Sequence, residues 1–285
     1  MNLKDILKKY HSVLFGIYDD QEIVVLFYIV AEYISGFSKI QLLFKLDELI
    51  ANEDNVSYII VLERLKNHEP IQYILSEAYF YGLKFKVDSS VLIPRPETEE
   101  LVEMAINAFK FKEVTLKMID IGTGSGCIAI SLKHNLPYAD ISALDISHSA
   151  LEIAAQNAMS NQTSISLVQA DIRDFQCTQK FDLIISNPPY ITKMEATLMD
   201  KNVLNFEPHL ALFVPDQNPL EFYVAIADFG LKSLKDDGLL FFEINANYGK
   251  ETIEMLINKS FSDLLIFKDM QGKDRFITAK KPSSF

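Results

Sequence analysis

KMIDIGTGSGCIAISLKHN, residues 117–135, passes from an apolar run through a glycine-rich turn into a stretch with helical patterning. The run opens at Val114 (VTLKMIDIG), and its shape recurs downstream in ADISALDIS, SISLVQAD, FDLIISN, GLLFFEI, DLLIFKDM and DRFITAKK. Helical stretches such as Ser149–Met159 and Leu220–Leu234 lie between most of these runs. The alternation predicts an α/β domain with a seven-stranded, mostly parallel sheet covered on both faces. Only Gln271, Gly272 and Lys273, with Asp274 at the border, separate the last two runs. No parallel crossover fits in so short a connection, so the last strand is expected to run antiparallel to its neighbour.

Upstream, Leu3, Ile6, Leu7, Tyr10 and Leu14 recur at helical spacing, and Glu22–Ile34 and Ser57–Leu65 continue the period. Residues 1–75 therefore read as a small helical bundle, with breaks expected at Gly36 and at the Asn52–Asn55 cluster. Aromatic and β-branched residues around Gly82 predict a hairpin linker over residues 76–93, with the α/β domain over 94–285. The chain has 285 residues, 49% of them hydrophobic, enough for two such units. Its net charge of −12 argues against stable nucleic acid binding. Cys127 and Cys177 form no CxxC pair, which suits a reduced, cytoplasmic compartment, and the five histidines show no metal-ligand spacing. The most apolar stretch, Ile23–Ala31, is too short to cross a bilayer, and the N-terminus lacks the pattern of a signal peptide.

The turn Gly122-Thr123-Gly124-Ser125-Gly126 permits close backbone approach to a ligand at a helix N-terminus. Asp145 ends the second strand, where a carboxylate can accept both hydroxyls of a ribose. Together they indicate a nucleoside-containing cofactor. The G-x-G-x-G spacing favours S-adenosylmethionine over a dinucleotide, as does Asp120, which would repel a pyrophosphate but attract the ammonium of a methionine. After the third strand, Asp171 is placed to meet an adenine amino group; Ile172 could pack on the ring or serve as ordinary core.

The fourth strand ends in Asn187-Pro188-Pro189-Tyr190 at the same sheet edge. Two prolines make a rigid turn. The Asn187 amide oxygen and the Pro188 carbonyl can grip both hydrogens of a planar NH2 group, while Tyr190 offers a ring face to the flat group that carries it. This suits adenine N6, cytosine N4 or a glutamine or asparagine carboxamide, whose delocalised nitrogen must be aimed at an electrophilic methyl. Asn187, Pro188 and Tyr190 are the candidate catalytic residues.

PIQYIL (Pro70–Leu75), LIPRPETEELVE (Leu92–Glu103), DIGTGSG, SNPPYI and FEPHLALF (Phe206–Phe213) make the chain resemble the peptide chain release factor N5-glutamine methyltransferases, the HemK family. The resemblance covers most of the chain and implies a class I, Rossmann-like methyltransferase fold. It implies that Gly122–Gly126, Asp145, Ile172 and Asn187 bind S-adenosylmethionine and that Asn187, Pro188, Pro189 and Tyr190 hold the substrate glutamine. The Arg95–Glu99 stretch looks like a loop lining the cofactor pocket. The implied partner is a class I release factor presenting its Gly-Gly-Gln loop, with residues 1–75 as the substrate-recognition domain of a monomer. The alternative is an adenine-N6 methyltransferase acting on DNA or RNA, against which LIPRPETE and the net charge argue.

Overall fold

The computed structural model describes residues 1–112 and 115–283, the Leu198 side chain excepted. The chain forms two compact units, Met1–Ser76 with Asp200–Phe206, and Glu77–Met199 with Glu207–Phe285. No described helix is long and apolar enough to cross a membrane.

The first unit contains α1 (Leu3–Leu14), α2 (Asp20–Ser35), α3 (Lys39–Phe44), α4 (Asn52–Lys66) and α5 (Ile71–Leu75). Local chemistry sets several of their ends. Asn2 and Asp5 form a reciprocal capping box on α1, Asp19 caps α2, and Gly36 ends α2 in the left-handed region. Ile6, Tyr10, Leu14, Phe27, Tyr58 and Leu62 are buried together, and the Tyr10 hydroxyl donates to the Tyr58 carbonyl at 2.9 Å. The Asn52–Asn55 cluster is the first turn of α4 rather than a break between helices. Glu53 and Asp54 there face the positive end of the helix dipole, which the polarity of the cluster concealed.

The second unit opens with a hairpin, β1 (Glu77–Phe80) and β2 (Leu83–Lys86), followed by α6 (Pro96–Phe109). Then come β3 (Lys117–Ile121), α7 (Cys127–Asn135), β4 (Asp140–Asp145), α8 (His148–Ser160), β5 (Ser166–Gln169) and β6 (Phe181–Ser186). The expected start of the β3 run at Val114 lies outside the described residues. A short parallel pair, β7 (Ile191–Thr192) and β8 (Phe213–Val214), brackets the excursion through α9 (Lys201–Phe206). The chain closes with α10 (Glu221–Ser233), β9 (Leu234–Glu243), α11 (Gly249–Asn258), β10 (Ser262–Lys268) and β11 (Asp274–Lys280).

The seven-stranded sheet has the order β10-β11-β9-β6-β3-β4-β5. β11 is antiparallel to both its neighbours, and the four pairings from β9 to β5 are parallel. The short connection explains the reversal, as expected; insertion of β11 between β9 and β10 was not legible from its length. Alternate strand residues serve opposite faces. Met118, Leu183 and Ile185 pack with Leu101, Val102 and Phe109 of α6 on one side, while Ile119, Ile121 and Ile184 pack with Tyr223, Ile226 and Leu256 on the other. The central strands are thus apolar on both faces, which is why they read as nearly unbroken hydrophobic runs.

Asn157 ties this unit together from α8. Its Oδ1 accepts from the Lys86 N–H at 2.6 Å, and its Nδ2 donates to the carbonyls of Lys86 and Ser125, each at 2.9 Å. One buried amide therefore joins the hairpin to the glycine turn. Removing it would strand three polar groups, so Asn157→Ala is expected to cost about 2–3 kcal/mol, read as a lower urea midpoint in equilibrium unfolding.

Candidate active site

In the sheet order, β4 and β5 lie to one side of β3, and β6 and the remaining strands lie to the other. Such a reversal opens a crevice beyond the carboxyl ends of the strands. The segments that leave β3 and β6 there are the glycine turn and Asn187–Tyr190. The Ser186 hydroxyl donates to the Ile121 carbonyl at 2.6 Å and pins the two strand ends together.

Both glycine-turn conformation and packing require their residue types. Gly126 has φ +82°, and a Cβ there would lie 3.0 Å from Ile130 Cδ1 and 3.1 Å from Ala154 Cβ. Gly124 has φ +54° and donates its N–H to Asp145 Oδ2 at 2.9 Å. The other oxygen of Asp145 accepts from the Ser147 N–H at 2.9 Å. Each carboxylate oxygen keeps a further lone pair. Burial raises the Asp145 pKa, and the amides of Ser147, Gly124 and Ile146 oppose that rise.

Gly122, Gly124, Asp145, Asp171 and Ile172 line one cleft, with Asn187, Pro188 and Pro189 in its wall. Asp120, Thr123, Ser125 and Gly126 are buried and form no part of that surface. Asp171 reaches the cleft with its carboxylate already held by Arg173, whose Nη2 lies 2.6 Å from Oδ2. This pairing pulls the Asp171 pKa below its usual range. Ile172 is 7% exposed and belongs to a core cluster as well as to the cleft wall.

Asp120 is fully buried. Oδ2 accepts from the Thr123 hydroxyl at 2.6 Å, whereas Oδ1 has no hydrogen-bond partner among the described residues. Desolvation pushes its pKa up to about 7, against the Thr123 hydrogen bond and the nearby Ala129 N–H dipole and together with repulsion from Asp145. A buried acceptor with no hydrogen-bond partner among the described residues, behind a glycine turn and beside a carboxylate suited to a ribose, fits an aminoacyl nucleoside with a cationic end. Cys127, next to this turn, is no nucleophile: burial pushes its thiol up to about 12.

On the Asn187 side, the turn is braced by residues that sequence reading missed. Asn187 Nδ2 donates to Thr98 Oγ1 at 3.2 Å, and the Thr98 hydroxyl donates to Glu243 Oε2 at 2.6 Å. The Tyr190 hydroxyl donates to Glu243 Oε1 at 3.2 Å, and Asn245 Nδ2 donates to the Tyr190 carbonyl at 3.1 Å. Tyr190 is not part of the cleft surface. Glu243 ends β9 just as Asp120 and Asp145 stand at or near the ends of β3 and β4. An acid closing an apolar strand was the available signal.

The Arg95–Glu99 stretch, expected as a loop, is the N-cap and first turn of α6, with Pro96 at its start. Arg95 Nη2 pairs instead with Glu207 Oε1 at 2.6 Å, and the Ile93 N–H donates to Glu207 Oε2 at 3.2 Å. Glu207 is buried. The pair fastens Ser90–Leu92 to Pro208–Ala211, and residues of both segments line the cleft.

Residues 102–205 match the family model described as methyltransferase small domain, and residues 6–75 match the PrmC N-terminal domain. A release factor glutamine methyltransferase of Flavobacterium psychrophilum is 43% identical over 280 residues, covering 97% of this chain and 98% of the relative. The chain belongs to the release factor glutamine methyltransferase family. Relatives of the same name from Bacteroides thetaiotaomicron and Lactococcus lactis are each 46% identical. They cover 78% and 77% of this chain and 79% and 80% of their own length. A human methyltransferase 10 domain containing protein shares the fold at TM-score 0.52 and 17% identity, covering 80% of this chain and 97% of its own. Among the described residues no cluster of His, Cys, Asp and Glu could hold a metal ion.

The raised pKa of Asp120 makes a stability prediction for this family member. The unfolded state ionises near 3.8 and the folded state near 7, so the folding penalty is absent in acid, grows between those values and is complete above about 7. Asp120→Asn should therefore stabilise the ligand-free protein at pH 8 by up to a few kcal/mol and scarcely at pH 4. Thermal melts of both proteins across this range measure the difference.

Proposed function

We infer that the chain transfers a methyl group from S-adenosyl-L-methionine to the side-chain amide nitrogen, N5, of the glutamine in the GGQ motif of class I peptide chain release factors. The observation that carries the reading is Asn187 and Pro188 in the wall of a cleft whose floor is the glycine turn and Asp145, in a chain of this family. When bound, the cofactor supplies a methyl group on a positively charged sulfur.

The chain's own residues do the rest. Asp145 accepts from ribose hydroxyls through the lone pairs that Gly124 and Ser147 leave open, and Asp120, buried behind the glycine turn, favours the methionine ammonium through its charge rather than by contact. Ile172 packs on the adenine, and Asp171 meets its amino group from the rim. The Asn187 side-chain oxygen and the Pro188 carbonyl each accept one hydrogen of the glutamine NH2, fixing its plane and enriching the nitrogen as the new bond forms. Tyr190, anchored on Glu243 and set back from the cleft, stiffens the far side of the turn.

A folded partner must bring a loop into this cleft, so recognition of its body is assigned to the first, helical unit of a monomeric enzyme. The net charge of −12 suits a basic, RNA-contacting partner and opposes nucleic acid as the substrate. The adenine-N6 alternative is disfavoured by the near full-length relatives as well.

Release factor incubated with enzyme and cofactor should gain one methyl on the GGQ glutamine by mass spectrometry. With tritiated cofactor, label should enter release factor and not DNA or RNA; label in nucleic acid alone would overturn the assignment. Asn187→Ala should lower turnover by about a hundredfold, the usual scale for a lost transition-state contact.

A further inference from the structure

We propose that Thr98 and Glu243 are positioning residues that set which end of the Asn187 carboxamide faces the reacting amide. This rests on the reading of Asn187 as an acceptor for the glutamine NH2. The two ends of an Asn side chain are nearly the same size, and only one of them can do that work. With the oxygen toward the cleft, the side chain grips a hydrogen of the substrate; with the NH2 group there, it presents a donor to a donor.

The hydrogen bonds decide the orientation. Ionised Glu243 can only accept, and its two oxygens are taken by two hydroxyl donors, Thr98 at 2.6 Å and Tyr190 at 3.2 Å. Thr98 has one hydroxyl hydrogen, which it spends on Glu243, so toward Asn187 it can only accept. Asn187 must then present Nδ2, as it does at 3.2 Å. The reverse orientation would set two oxygens against each other with no hydrogen between them. Thr98 and Glu243 are 3% and 2% exposed, so water cannot readily repair that clash.

The fold holds the three residues on separate rigid supports. Thr98 lies in the first turn of α6, and Asn187 follows β6, which is paired with β9, the strand Glu243 ends. Arg275 is on the other neighbour of β9, next to Phe276, the register partner of Glu243. Its charge, with the hydroxyls of Thr98 and Tyr190, partly counters the burial and the repulsion from Glu97 that raise the Glu243 pKa. A carboxylate at the end of an apolar strand thus acts on the substrate at one remove, through a hydroxyl and an amide.

The test uses the full chain carrying Thr98→Val, Thr98→Ser, Asn187→Ala and the Val/Ala double substitution. Cofactor binding stoichiometry counts folded sites, and steady-state kinetics on release factor separates kcat from KM. Thr98→Val should bind cofactor at full stoichiometry and keep KM within about threefold, while kcat falls about ten- to a hundredfold, the scale of one misdirected buried hydrogen bond. Thr98→Ser should restore kcat to within about threefold, and in the Asn187→Ala background Thr98→Val should change it by less than about twofold. Should Thr98→Val fail to bind cofactor, Glu243→Met reads the same relay, because with no acceptor there the Thr98 hydroxyl hydrogen is free to turn toward Asn187; it should lose kcat similarly. A kcat within about twofold of the unsubstituted enzyme for either folded variant overturns the relay, as does an equal loss in the Asn187→Ala background. Unchanged turnover in Asn187→Ala alone would instead remove the reading of Asn187 beneath it.

Discussion

A parallel sheet brings the carboxyl ends of its strands to one edge, and reversal of strand order between β3 and β6 leaves that edge open at one point. Everything functional in the second unit depends on this constraint. The glycine turn leaves β3 there, Asp145 closes β4, and the proline turn leaves β6, so residues far apart in the chain need no long loops to meet. Ser186 holds the two central strand ends in register, and Asn157 fastens the glycine turn to the hairpin. The cleft is walled by short, stiff turns on a scaffold whose central strands are buried on both faces.

The site sets stability against function. Asp120 and Glu243 are acids in places where an apolar side chain would favour folding, and burial raises the pKa of both. Glu243 recovers part of that cost from two hydroxyl donors and a nearby guanidinium. Asp120 recovers less, since one of its oxygens has no hydrogen-bond partner among the described residues. The difference follows their surroundings: Glu243 organises the side chains of Thr98 and Tyr190, whereas Asp120 stands buried behind the glycine turn.

What could be read in advance was local. Three glycines between an apolar strand and a helix specify a turn without reference to the rest of the chain, and the brief connection after β10 dictates an antiparallel return. Asn187–Tyr190 carry their stiffness in their own backbones. The features that escaped were pairings between distant positions. Thr98 with Glu243, Arg95 with Glu207, and Asn157 with Lys86 join groups on different elements, and no periodicity encodes such partners. The Asn52–Asn55 cluster misled for the opposite reason, because the polar composition of a helical first turn matches that of a break.

The chain's return to the first unit at Asp200–Phe206 has a consequence for its modularity. That unit is discontinuous: seventy-odd residues at the start are completed by a segment borrowed from between β7 and β8. The polypeptide therefore crosses the boundary three times, after residues 76, 199 and 206. Neither half can be excised by a single cut, and an exchange of the helical unit with that of a relative would have to transplant α9 together with the N-terminal helices.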